Sequence, residues 1–314
     1  MKPLVLALIL GFLSIHSNAE VTVWQPSPGH VQIPLWPDHI PDSSAKPGPE
    51  FTELSKNTIA GKPYLSARNI SAPTMTLYQP KVINSGVTVV VFPGGGFEIL
   101  AIDLEGTDVC DWLVSHGINC VLLKYRVPSL PFDWHTNSRP HNLMISTESL
   151  EDAQRAMGLV RLHAKDWNID PQKIGVLGFS AGGYLVAEIS TNYKQRLYAP
   201  VDAADRESCR PDFAVGIYPG HLSMGDKAPK LNPNIKVTPQ TPPTFLVQAE
   251  DDYTDGINQS LVYYTALKDK RVPVEMHLFA QGGHAFGLRH TNLPITDWPD
   301  LMQTWLVTTG LLAK

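Results

Sequence analysis

Short, almost wholly apolar runs alternate along this chain with longer stretches in which apolar positions recur every three or four residues. The run at residues 87–92 is continuous and rich in β-branched side chains, as a strand covered on both faces should be. Runs at 119–124, 173–178, 213–218, 244–248 and 274–279 predict further strands. Between and after them, the helical period marks 104–116, 149–165, 183–191, 258–268 and 298–308. Strands alternating with helices in this way predict an α/β fold, a mostly parallel central sheet with helices on both faces. Ahead of residue 87 the pattern is weaker. Residues 67–70 and 74–78 predict edge strands, while Pro26, Pro28, Pro34, Pro37, Pro41, Pro47 and Pro49 exclude regular helix and predict an extended segment packed over the core. The longest irregular stretch, 127–147, carries Trp134, His135, Asn137, Arg139 and His141 and reads either as a binding loop or as a solvated insertion.

Composition narrows the function classes. A chain of 314 residues, 43% hydrophobic and 18% charged, can bury a full core and lacks the bias of a disordered or fibrous protein. A net charge of −5 and a pI near 6.1, with no polybasic tract, offer nucleic acid nothing to bind. Lys2, the nearly uncharged stretch 3–15 and then Ser17, Asn18 and Ala19 predict a secretory signal peptide over 1–19, followed by one domain over 20–314. The alternative, an uncleaved anchor, would need an apolar stretch nearer ~20 residues. The expected mature protein is periplasmic or secreted, without stable membrane insertion. Three cysteines are too few for a disulfide scaffold. Cys110 and Cys120, on a predicted helix and the strand after it, are either a bridge or two small buried hydrophobes. No Cys/His spacing resembles a zinc site.

The chemistry gathers at three loops. Gly178, Phe179, Ser180, Ala181 and Gly182 spell G-x-S-x-G between a predicted strand and a predicted helix, the setting of a nucleophile elbow. A serine hydroxyl needs a base within hydrogen-bond reach and a carboxylate to orient that base. His284 follows the strand at 274–279, and Asp252 follows the strand at 244–248, in the order Ser, acid, His. His221 precedes the acid and His290 lies further from its strand, so both fit less well. Glu250, Asp251 and Asp255 crowd around Asp252, with Asp251 the alternative acid. Pro93, Gly94, Gly95, Gly96 and Phe97 leave the buried strand where an oxyanion loop belongs, so the N–H groups of Gly95 or Gly96 and of Ala181 are the expected oxyanion hole. The missing lysine and Ser/Thr of a Walker motif exclude a phosphate loop.

With these residues placed, the chain resembles the α/β-hydrolase fold and, more closely, the acetylxylan-esterase-like and feruloyl-esterase-like family of BD-FAE type. The resemblance runs through Pro34, Leu35, Trp36 and Pro37, the glycine loop with Asp103, Leu104, Glu105 and Gly106, the segment Leu123, Lys124, Tyr125 and Arg126, the elbow, and Gly282, Gly283, His284, Ala285, Phe286 and Gly287. It favours Asp252 over Asp251, because Asp252 and Ser260 keep the family's D-x-x-V-x-x-x-x-S offset, although Asp255 stands where the family tends to have valine. It implies a secreted serine carboxylesterase that cleaves short-chain acyl esters, with a small acyl ester or acylated polysaccharide as partner and no metal or organic cofactor. Glu105 and Arg126 are expected to form a buried ion pair that fixes the oxyanion loop. Two rivals stand beside this reading: a prolyl-oligopeptidase-like peptidase with the same residue order, and an inactive carbohydrate-binding protein on a hydrolase fold.

Overall fold

The structure, a computed structural model, describes residues 22–43, 48–127, 147–225 and 228–313. The proposed leader at 1–19 and the aromatic-rich stretch with Trp134, His135, Asn137, Arg139 and His141 lie outside the described residues. The central sheet has eight strands: β1 (Gln32–Pro34), β2 (Thr74–Tyr78), β3 (Thr88–Phe92), β4 (Asn119–Lys124), β5 (Ile174–Phe179), β6 (Ala214–Ile217), β7 (Thr244–Ala249) and β8 (Val274–Phe279). Their order is β1-β2-β4-β3-β5-β6-β7-β8. From β4 to β8 every neighbouring pair is parallel, and only β1 and β2 run against their neighbours.

The apolar runs become the middle of the sheet for a simple reason. Every residue of β3, β4, β5 and β7 is buried, so both faces of these strands must be apolar and no alternation appears in the sequence. Helices α1 (Asp108–Ser115), α2 (Thr147–Leu162), α3 (Ala181–Thr191), α4 (Asn258–Asp269) and α5 (Trp298–Thr308) connect or follow the strands. The connection through α1 steps from β3 to β4 in one direction and those through α2, α3 and α4 step in the other, so right-handed crossovers put α1 on the opposite face from α2, α3 and α4. A π-helical turn at Asp103–Thr107 precedes α1, where the sequence predicts continuous α-helix from 104.

Two expectations about the first third of the chain are corrected. Residues 74–78 are not an edge, because β1 pairs with β2 and takes the edge itself. Of residues 67–70 only Ala67 and Arg68 are in a strand, the end of the longer Lys62–Arg68, which joins Phe51–Ile59 and Ile99–Ala101 in a separate three-stranded antiparallel sheet. The described part of the proline-bearing segment is tied to α2 at two points. Trp36 Nε1 donates to Asp152 on α2 at 2.9 Å, and Arg155 Nε donates to the Leu35 carbonyl at 2.9 Å. Cys110 on α1 and Cys120 on β4 form a disulfide, with Cα atoms 5.2 Å apart, and Cys209 is free and buried. Among the described residues no helix is long and apolar enough to cross a membrane.

Candidate active site

The parallel register aligns the C-terminal ends of the strands that carry the three loops. Phe92 lies opposite Gly178, Phe179 opposite Ile217, and Ala249 opposite Phe279, so the glycine loop after β3, the serine after β5, the acid after β7 and the histidine after β8 leave the sheet on one side.

Ser180 occupies the turn between β5 and α3 with φ 51° and ψ −118°, backbone that a non-glycine residue adopts only when its surroundings enforce it. Its N–H is held by the Ile217 carbonyl at 3.1 Å, and its own carbonyl accepts from Gly220 at 3.1 Å. Gly182 lets the elbow close, since a Cβ there would stand 2.1 Å from the Phe92 carbonyl oxygen. The hydroxyl is thereby pushed out over the end of the sheet. His284 Nε2 lies 3.0 Å from Ser180 Oγ, and His284 Nδ1 lies 2.8 Å from Asp252 Oδ2. The three sequence-predicted side chains therefore converge in a continuous hydrogen-bonded line.

Each member is held by further groups. Asp252 Oδ2 also accepts from Gln248 Nε2 at 3.0 Å, and Gln248 Oε1 accepts from Ser260 Oγ at 2.9 Å. Asp252 Oδ1 accepts the N–H groups of Thr254 and Asp255. Burial pushes the Asp252 carboxyl up, but the His284 hydrogen bond and charge, with these N–H donors, outweigh it and hold the group below its ordinary 3.8. The alternative acid, Asp251, does different work: its Oδ1 accepts from Gly282 and Gly283 N–H at 2.9 and 2.7 Å and fixes the loop that presents His284. His221 is not at the serine either. It is half-buried, packed against Phe97 and Tyr184, and desolvation there pushes it down to about 4, so it is neutral. His290 is exposed, with Nδ1 facing the Thr291 carbonyl.

In the glycine loop, Gly94 N–H is committed to Glu105 Oε2 at 2.7 Å, whereas among the described residues the N–H groups of Gly95, Gly96 and Ala181 have no acceptor. Ala181 opens α3, so its N–H adds the positive end of a helix. Gly95 adopts φ 133°, and a Cβ there would fall 2.3 Å from the Ile99 carbonyl oxygen, so only glycine permits this path. The expected pairing of Glu105 with Arg126 does not occur. Glu105 is buried beneath the loop and takes Gly94 N–H and the Tyr218 hydroxyl, the latter at 2.8 Å, while Arg126 pairs with Asp152 and Glu151. Sequence order could not assign these partners, because, of two adjacent residues past β4, Tyr125 donates to the Pro93 carbonyl at the glycine loop while Arg126 turns to the carboxylates of α2.

The sequence reading also missed Asp255 as a site group. Its Oδ2 accepts from Ser180 Oγ at 3.3 Å and lies 3.6 Å from His284 Nε2. The one available signal was the departure from the family's valine at this position.

Comparison with known proteins agrees with this architecture. The BD-FAE family model matches residues 135–219 and the prolyl oligopeptidase family model matches residues 221–309. The chain is 31% identical to an acetyl ester-xyloside bifunctional hydrolase of Caldicellulosiruptor lactoaceticus, whose crystal structure superposes with a TM-score of 0.67 over 90% of this chain and 97% of that one. It is 30% identical over 226 residues to an acetylxylan esterase of Xylanibacter ruminicola, covering 65% of this chain and 42% of the relative. It is 27% identical over 213 residues to endo-1,4-beta-xylanase B of Butyrivibrio fibrisolvens, covering 62% and 32%. The chain thus spans less than half the length of these two curated relatives. It belongs to the α/β-hydrolase esterases of BD-FAE type.

Proposed function

We propose that this protein is an exported serine carboxylesterase that removes short acyl groups, acetyl foremost, from xylan-type polysaccharide or its fragments. The observation that carries the proposal is the line Ser180 Oγ, His284 Nε2, His284 Nδ1, Asp252 Oδ2 at 3.0 and 2.8 Å beside a loop of unclaimed N–H donors. The acetylxylan esterase and acetyl ester-xyloside hydrolase among the relatives support the substrate class. Export is supported by the leader-like residues 1–19 and by the Cys110–Cys120 disulfide, a bond that persists in oxidising compartments.

In this mechanism Ser180 Oγ attacks the acyl carbon while His284 Nε2 takes its proton, and Asp252 stabilises the imidazolium through Nδ1–H. The N–H groups of Ala181 and of Gly95 or Gly96 hold the tetrahedral oxyanion. His284 returns the proton to the leaving alcohol. It then deprotonates a water, which attacks the acyl carbon and releases the acid and Ser180. Replacing Ser180 by Ala should lower kcat for nitrophenyl acetate, and acetate release from acetylated xylan, by at least about a thousandfold. Acetate release that survives in the variant would refute the role of Ser180. The match to the prolyl oligopeptidase family over 221–309 favours one second reading, a peptidase. Cleavage of proline-containing peptides with nitrophenyl acetate left intact would decide for it.

A further inference from the structure

The cleft contains a carboxylate that takes no proton and forms no bond in the acyl-enzyme reaction. Asp255 presents Oδ2 to Ser180 Oγ at 3.3 Å and to His284 Nε2 at 3.6 Å. Room for it comes from Gly220, where a Cβ would meet both carboxylate oxygens at 2.7 Å. The side chain is only 12% exposed, yet no lysine or arginine pairs with it among the described residues. It caps no helix and accepts no backbone N–H there; Ser180 is the sole donor to it, and Oδ1 has none. Burial pushes its carboxyl up to about 6, against the pull of His284. A structural carboxylate would be expected to have donors. This one is held largely dry and underbonded against the reacting atoms, which is how a ligand-facing group looks.

The reaction geometry says what comes to it. The leaving oxygen must stand within about 3.2 Å of His284 Nε2 to receive the proton, so the alcohol half of the ester enters the space that Asp255 borders. An ionised carboxylate is acceptor-only, and an alcohol hydroxyl is the neutral donor that satisfies it. Building on the esterase reading above, we infer that Asp255 is a specificity-determining residue. It accepts a hydrogen bond from a free hydroxyl next to the ester oxygen, so that the site selects sugar and other polyol esters carrying an unsubstituted neighbouring hydroxyl. An ester without that hydroxyl leaves the carboxylate desolvated and unpaired, and is turned away for that reason rather than by shape.

The test compares kcat/KM for a monoacetylated methyl xyloside with a free vicinal hydroxyl against the analogue in which that hydroxyl is replaced by hydrogen. Wild type, Asp255→Asn and Asp255→Val are measured side by side, the isosteric Asn keeping the test intact if Val impairs folding. Wild type should favour the hydroxylated ester on the order of tenfold or more, the ratio should fall towards one in the Val variant, and Asn should lie between. A wild-type ratio within about twofold of one, or the same ratio in all three proteins, overturns the inference. Failure of the esterase reading is separately visible, because wild type would then show no Ser180-dependent turnover of nitrophenyl acetate at all.

Discussion

Burial alone would push the His284 imidazole below its ordinary 6.5, and a base that loses its proton too readily cannot hold one for the leaving alcohol. The Asp252 hydrogen bond reverses the balance, helped by the charges of Asp255, Asp252 and Glu105, and the group ends above 6.5. These partners favour the imidazolium more than water does, the reaction begins from neutral imidazole, and so activity grows as pH rises through the His284 pKa. We expect kcat/KM for nitrophenyl acetate to be half-maximal above pH 6.5 on its acid side. Replacing Asp252 by Asn removes a charge that favours imidazolium and frees the ring to take the wrong tautomer. The acid limb should move to lower pH and kcat should drop on the order of 10⁴-fold. An acid limb that stays in place in Asp252→Asn would show that Asp252 does not govern the titration of His284.

At the scale of elements, the oxyanion site depends on one tight path, from β3 through Gly95 to the strand Ile99–Ala101. Glu98 and Ile99 N–H both bond back to the Gly95 carbonyl, at 3.0 and 3.1 Å, and Ala101 N–H bonds to that of Gly94 at 2.9 Å. The turn is thus closed on itself while its outward N–H groups stay available. Gly95→Ala would place a methyl group 2.3 Å from the Ile99 carbonyl at φ 133°. The loop must shift, and misplacing an oxyanion donor should lower kcat by about 10²–10³ with KM changed far less. Steady-state kinetics on nitrophenyl acetate would check this; an equal rise in KM with kcat intact would place Gly95 in substrate binding instead. The contrast between elements also explains what could be read from the chain. Strands buried on both faces announce themselves as apolar runs, and β4 begins and ends where the pattern places it; β8, a half-buried edge strand, keeps its predicted bounds as well. The small sheet of Phe51–Ile59, Lys62–Arg68 and Ile99–Ala101 is mixed in burial, with several outward positions on Phe51–Ile59, and leaves no such trace. Ser180, Asp252 and His284 were legible because chain order and strand ends constrain them. Asp255 was not, since the space it fills is made by Gly220 from another loop, and Glu105 was paired with the wrong partner because burial of a charge does not name its counter-ion.

For the whole molecule, the decisive polar centre lies away from the serine, where three distant segments meet on Asp152 of α2. Its carboxylate accepts Arg126 N–H at 2.8 Å, Arg126 Nε at 3.0 Å and Arg126 Nη2 at 2.8 Å from the chain just past β4, and Trp36 Nε1 from the N-terminal segment. Arg126 Nη1 reaches on to the Pro41 carbonyl and Nη2 to Glu151 at 3.0 Å. Arg126, Glu151 and Asp152 are all buried, so each charge depends on the others for its solvation. Asp152→Ala leaves Glu151 as the one remaining carboxylate for a guanidinium that had two, and strips the Trp36 indole and the Arg126 amide of their acceptor. We expect a loss of about 3–5 kcal/mol, seen as a lower urea midpoint at unchanged slope. Trp36→Phe keeps most of the ring packing and removes only one donor, so its cost should stay near 1–2 kcal/mol. Because the N-terminal segment is also tied through Arg155 to Leu35, the two variants should differ in where they open first. Hydrogen exchange in Trp36→Phe should rise in the segment around residues 32–41 while α2 stays protected, whereas Asp152→Ala should release both together. Unchanged midpoints in both variants would mean that the N-terminal segment contributes nothing to the stability of the sheet it covers.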